Sequence, residues 1–335
     1  MEGAFTDLLS LEHLNLEQEW WNQSQVQGWT LNNHLYVATG DSTITGQGFC
    51  AVVYNEEKYA QMGFTEDLYQ VVYEKKWTIE KMHELVVASS VFDESGNGTY
   101  GLCMWENISG RFMQASGQNV LERNDEGVFE LGFTQSKVET ITDALYDMLK
   151  DTNANIVSQV AYNASMQTSN FFTAFMNGQG MFMTFDIGSL WWMLRDIEFG
   201  LDYLPLPKYA ESQKNYYSMC ASGCIGIPYY DSNPDQVSII FEAMTIHSYL
   251  KLKPEFFNRI LQGRLSGDPE DFEMLDFLHS TKFFDVGFGV DTKQKGTAMI
   301  QNLIYDLDNP GAINSYMKGA TPYFNEIIDT ANSME

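Results

Sequence analysis

Apolar residues along this chain fall into short unbroken runs separated by stripes at helical spacing, a pattern that predicts alternating strands and helices. The clearest unit spans Phe171 to Leu206. Phe171, Phe172, Phe175 and Met176 predict the end of a helix, and Asn177-Gly178-Gln179-Gly180 predicts the turn that stops it, because glycine tolerates positive φ. Met181-Phe182-Met183-Thr184-Phe185 is too short for a helix and suits a buried strand. Asp186-Ile187-Gly188-Ser189 leads into a second helix with Trp191, Trp192, Leu194 and Arg195; Gly200 ends it, and 201–206 reads as another buried strand broken by Pro205 and Pro207. The result is helix, strand, helix, strand, with a polar loop at the carboxyl end of a strand, where open α/β sheets place ligands. Asp186 and Ser189 lie in that loop and Trp191 one turn behind them, although an Asp there equally suits a helix N-cap.

The same reading extends outward. Asn32-Asn33 between apolar residues predicts a hairpin turn. Phe49 to Asn55 and Tyr100 to Trp105 predict buried strands, the second ending at Trp105 with Glu106-Asn107 beyond it. Thr78 is placed to cap a helix beginning at Ile79, and Trp77 reads as core. Ser136 to Asp151 carries apolar residues at helical spacing, and Asp235 to Leu250 predicts an amphipathic helix with Val237, Ile240, Phe241, Met244 and Tyr249 on its core face. The tail from Pro310 to Met334 predicts a pair of helices. Asp93 to Thr99 imitates a calcium loop but reaches Met104 where a bidentate Glu is needed, so a surface turn is the better reading.

Charge narrows the function classes. The 335 residues hold 45 acidic against 19 basic side chains, net −26, which disfavours nucleic acid and anionic membrane surfaces. Charged residues are only 19% and hydrophobic ones 44%, as in a folded protein with one large or two medium domains. Cys50, Cys103, Cys220 and Cys224 are too few for a disulfide scaffold and lack zinc-ligand spacing; they read as small buried residues, with a Cys220–Cys224 bridge as the other option. No cofactor and no metal site is expected, and no run of 18 apolar residues spans a membrane.

The stretch Gly178-Gln179-Gly180-Met181-Phe182-Met183, the helix end Leu194-Arg195-Asp196-Ile197-Glu198-Phe199-Gly200-Leu201 and Leu204-Pro205-Leu206-Pro207-Lys208-Tyr209 resemble the extracellular solute-binding proteins, family 1, of bacterial ABC sugar importers, in particular the lipoproteins of Gram-positive gut bacteria. Glu19-Trp20-Trp21-Asn22, Asn33-His34-Leu35-Tyr36, Phe49 to Asn55, Tyr216 to Pro228 and Phe284-Asp285-Val286-Gly287 resemble further segments of that family in the same order. The resemblance implies an α/β, periplasmic-binding-protein-like type II fold: two α/β lobes around a cleft, joined by crossing hinge strands near Phe49–Tyr54 and Met219–Ile225. It implies a first lobe of 1–50 with 220–285 and a second of 51–219 with 286–335. In such proteins a segment like Gly3 to Leu8 follows an opening of on the order of 80 residues, at ~30 per βαβ unit, so the first lobe is expected to be truncated here. The resemblance also implies export and surface anchoring, although Met1 to Asp7 shows no signal peptide or lipobox.

The function so implied is capture of a carbohydrate by a monomer that closes over it and docks on ABC permease subunits in the membrane. Asp41 and Asp186, with Ser42 and Ser189, are the expected partners of sugar hydroxyls. Trp21, Trp105, Trp191, Tyr216 and Tyr217 are the rings expected against sugar faces. The competing reading is a carbohydrate hydrolase with a carboxylate pair, which so acidic a chain does not exclude. G-x-S-x-G, H-E-x-x-H, Walker A and G-x-G-x-x-G signatures do not occur.

Overall fold

A computed structural model of the chain describes residues 3–46, 48–95, 97–105, 109–132, 134–150, 155–158, 170–187, 197–221, 223–256, 269–290 and 312–333. Among them run ten strands: β1 (Gly48–Asn55), β2 (Val91–Phe92), β3 (Gly98–Trp105), β4 (Leu121–Arg123), β5 (Phe129–Leu131), β6 (Asn155–Ser158), β7 (Gly180–Asp186), β8 (Leu201–Pro205), β9 (Ser218–Ala221) and β10 (Lys282–Phe283). The helices are α1 (Gln23–Trp29), α2 (Glu56–Gln61), α3 (Leu68–Tyr73), α4 (Ile79–Ser89), α5 (Ser109–Ala115), α6 (Gln135–Lys150), α7 (Asn170–Met176), α8 (Pro234–His247), α9 (Pro269–Ser280), α10 (Val286–Val290) and α11 (Ala312–Ser333).

Eight strands form one mixed sheet in the order β10-β9-β1-β7-β3-β2, with β6 also on β3 and β8 also on β1. All eight residues of β1 are buried, which is why it reads in sequence as an unbroken apolar run. One edge of β1 is antiparallel to β7, from Cys50 opposite Asp186 to Tyr54 opposite Phe182. Its other edge pairs first with β9, through Gly48 and Phe49, and then with β8 from Ala51 to Asn55. β1 therefore passes from one ladder to another along its length. Helices α3, α4, α7 and α9 pack on this sheet. Gly178, at φ +69, makes the turn from α7 into β7 where the sequence places one.

Two apolar clusters result. The larger takes in β1, β3, β7 and β8 with Trp77, Leu145, Phe175, Leu278 and Phe324. The smaller gathers Leu8, Leu11, Leu14, Leu16, Trp21, Leu35, Ala38 and Ile227, with Val237 and Phe241 of α8 against it. The expected hairpin turn is present: Asn32 and Asn33 take φ of +47 and +63, and Leu31 and His34 exchange both backbone hydrogen bonds at 2.8 Å. Thr78 caps α4, accepting from the Lys81 N–H at 3.2 Å.

Three expectations need correction. The tail is a single helix, α11, with Pro322 inside it, not a helix pair. Cys224 is exposed, and all four cysteines are free thiols, because Cys224 sits in the segment that pairs with Ala38 and turns its sulfur toward Thr39 Oγ1 at 3.4 Å. In α8, Ile240 and Met244 face outward beside Ile239, whereas Ser238 and Thr245 are buried. With apolar residues on all sides of this helix, its period does not tell which side meets the protein.

Candidate functional site

Trp20 and Trp21 lie in the turn before α1, whose cap is Asn22: its side chain accepts from the Gln25 N–H at 3.0 Å. Trp21 bridges to Gly40, and the Asp41 N–H donates to the Trp20 carbonyl at 2.9 Å. A Cβ at Gly40 would overlap both the Thr245 side chain and the Trp21 ring, so only glycine lets these segments meet. The 3₁₀ segment Asp41–Gly46 starts immediately afterwards.

These elements wall a cavity of about 400 Å³, completed by Lys253 and by Asp276, His279, Ser280 and Lys282 from the end of α9 and β10. Trp21 is 2% exposed, its Nε1 donating to Glu242 at 3.0 Å, so the half-open indole in this wall is its neighbour Trp20. Asp41 is nearly buried with Lys253 Nζ 3.4 Å away. Burial pushes its carboxyl above the usual range, against the pull of Lys253. Lys282 is half-buried as a residue, and loss of water around its ammonium, with repulsion from Lys253, lowers its pKa to about 8. His279 is held neutral by burial, its ring edge-on to Phe49 at 5.2 Å. The wall thus combines an aromatic face, a carboxyl acceptor and ammonium and hydroxyl donors.

A second cavity of about 370 Å³ shares Ser280 and Lys282 with the first and is lined by Tyr73, Asn215, Tyr216, Tyr217, Phe277 and Phe283. Tyr216 is buried and its hydroxyl accepts from the Trp77 N–H at 3.2 Å; burial raises its pKa. Tyr217 is more open, edge-on to Phe283 at 5.9 Å. Ser42 lies next to Asp41 and shares a hydroxyl hydrogen bond with Thr245 at 3.0 Å. Asp186 ends β7 against Gly48, where a Cβ would overlap its carboxylate, and it lines neither cavity. Trp105 ends β3, with its side chain outside the described residues; Ser189 and Trp191 lie outside them altogether.

The structure therefore brings Trp21 and Asp41 to one cavity and Tyr216 and Tyr217 to its neighbour. Sequence reasoning missed Trp20, Lys253, His279 and Lys282. The usable signal was Lys282 itself, a charge set in the run Phe277-Leu278-His279-Ser280-Thr281-Lys282-Phe283-Phe284. Among the described residues no helix is long and apolar enough to cross a membrane.

No protein-family model and no curated protein matches the sequence. Solved structures do match. An ABC substrate-binding protein from Listeria monocytogenes in complex with cycloalternan is 12% identical, with 97% of this chain and 81% of that one covered at a TM-score of 0.61. The galacto-N-biose/lacto-N-biose I-binding protein of Bifidobacterium longum, in complex with lacto-N-biose, is 10% identical, with 98% and 79% covered at 0.63. An extracellular solute-binding protein family 1 from Alicyclobacillus acidocaldarius is 13% identical, with 99% and 80% covered at 0.58. At such identity the likeness shows the fold: this chain has the mixed α/β architecture of type II periplasmic-binding-protein-like solute-binding proteins.

Proposed function

We propose that this chain is the capturing component of an ABC importer, taking a carbohydrate between two lobes outside the cell and delivering it to permease subunits in the membrane. The observation that carries this reading is the 400 Å³ cavity, in which Trp20 stands beside Asp41, Lys253, Ser280 and Lys282. A sugar ring offers C–H faces that pack on an indole and hydroxyls that need both donors and acceptors at the ring edge, and this wall supplies each. In this reading the first lobe is 1–50 with 220–285 and holds the smaller apolar cluster. The second is 51–219 with 286–335 and holds most of the larger, to which Phe49, Met274, Leu275 and Leu278 of the first also contribute. β1, which changes ladder from β9 to β8 along its length, is the crossing strand about which they close. Closure follows from tighter binding to the closed form, and no covalent step is involved. Asp186, Ser42, Tyr217, Trp105, Ser189 and Trp191 are the further candidate contacts.

The test is a thermal-shift and calorimetric screen of the purified chain against oligosaccharides, with peptides as controls and chromatography of the incubated sugar. A ligand bound only by the folded form raises Tm by mass action. The expected result is a shift with one glycan class, no product, and affinity weakened about tenfold or more by Trp20→Ala. Cleaved sugar would favour the hydrolase with a carboxylate pair, and shifts with peptides alone would sink the carbohydrate reading.

A further inference from the structure

Glu242 and Thr245 of α8, Tyr249 of the π-helical turn Ser248–Leu252 that follows it, and Lys253 just beyond that turn succeed one another at three- and four-residue spacing. Each reaches the Trp20–Ser42 side of the first cavity. Glu242 Oε1 accepts from Trp20 Nε1 at 3.0 Å, while Oε2 accepts from Trp21 Nε1 at 3.0 Å and from the Asn15 N–H at 3.2 Å. Thr245 meets Ser42, the Tyr249 ring lies 6.3 Å from that of Trp20, and Lys253 approaches Asp41.

Two adjacent indoles in a turn point to different sides of the chain and have no reason of their own to share an acceptor. An indole N–H is a donor only, and a carboxylate accepts at both oxygens. One carboxylate taking both N–H groups fixes the plane of each ring with charge-assisted bonds. We propose that Glu242 is a positioning residue for ligand capture: it holds Trp21 in the core and sets Trp20 as the ring platform of the cavity. The role at Trp20 rests on the carbohydrate reading above; the hold on the two rings does not.

Glu242→Gln tests it with almost no change of shape, because the amide keeps one acceptor oxygen and turns an NH₂ toward the other indole. The protein is labelled with fluorotryptophan, and Trp20→Phe and Trp21→Phe assign the two lines by fluorine NMR. The expected outcome is that Glu242→Gln moves those two lines and leaves the other five of the seven tryptophans in place. Calorimetry with raffinose, lacto-N-biose and cycloalternan then gives about tenfold weaker binding of whichever sugar the parent protein takes. Unmoved lines overturn the proposal. Moved lines with unchanged affinity overturn the positioning role and leave Glu242 structural. If the parent protein binds none of the three sugars, the platform role falls with the carbohydrate reading, while two shifted lines still establish what orients the rings.

Discussion

β1 and the segment from Leu35 to Gly40, which delivers Asp41, are both extended chain, yet they are held by opposite means. β1 lies in a ladder on both edges and every residue of it is buried. In 35–41 the backbone groups go to several separate partners, many of them side chains. The Leu35 N–H donates to Asp7 Oδ1 at 3.0 Å, Val37 accepts from the Gln25 side chain at 3.0 Å, Ala38 exchanges with Ile225 at 2.7 and 2.9 Å, and the Thr39 N–H donates to Gln25 Oε1 at 3.1 Å. A ladder repeats one bond and tolerates the loss of any single side chain. The patchwork depends on individual side chains, and it is the patchwork that carries Trp20 and Asp41.

The comparison is broken most severely from the sheet side. Trp77 is fully buried and its Nε1 donates to Pro205 in β8 at 2.9 Å, so Trp77→Ala removes a large core ring together with that hydrogen bond. A loss of about 3–5 kcal/mol is expected in urea unfolding, with the whole chain affected. A loss under about 1 kcal/mol would mean that the sheet is not the cooperative body of the fold.

Gln25→Ala probes the other side. Its buried amide serves both Val37 and Thr39, and removal should cost about 1–3 kcal/mol. Amide exchange is expected to quicken across 35–41 while β1 keeps its protection. Equal quickening in both places would erase the distinction.

The smallest effect sharpens the sheet itself. Burial, with Glu56 and Asp271 nearby, raises the Asp202 carboxyl from its ordinary 3.8 to about 6 in the fold, against the pull of the Tyr54 hydroxyl. Between those values the folded chain keeps a proton that the unfolded chain releases, so stability falls as pH rises through about 4 to 6. Removing the full shift would be worth about 3 kcal/mol, but Asp202 is only half-buried and solvent screens part of it, so Asp202→Asn is expected to gain about 1 kcal/mol at pH 7 and little at pH 4. Parallel melting curves at the two pH values would contradict the assignment.

How much of this could be read from sequence follows the same division. The doubly buried strands were legible because burial on both faces leaves an unbroken apolar run, as in Met181 to Phe185 and Phe49 to Tyr54. The Asn32-Asn33 turn was legible from its φ requirement. Which of two neighbouring rings faces a cavity was not. Trp20 and Trp21, like Tyr216 and Tyr217, differ only in which side of the chain they leave, and that is settled by distant partners: Glu242 and Gly40 for the first pair, the Trp77 N–H for the second. Lys253 was hidden for another reason. A single charge has no period, and its meaning here comes from segments that meet only in the fold.

Lys282, where the two cavities meet, also has a chemical consequence. An amine with a pKa of about 8 is unprotonated in roughly half of the molecules at pH 8, whereas an ordinary lysine is almost wholly protonated there. Only the unprotonated form attacks acylating reagents. Brief treatment at that pH is therefore expected to modify Lys282 ahead of the other lysines, as peptide mass spectrometry would show, and a solute lodged in either cavity should slow that one reaction. Slowing of that one reaction by a solute would make Lys282 a reporter of occupancy.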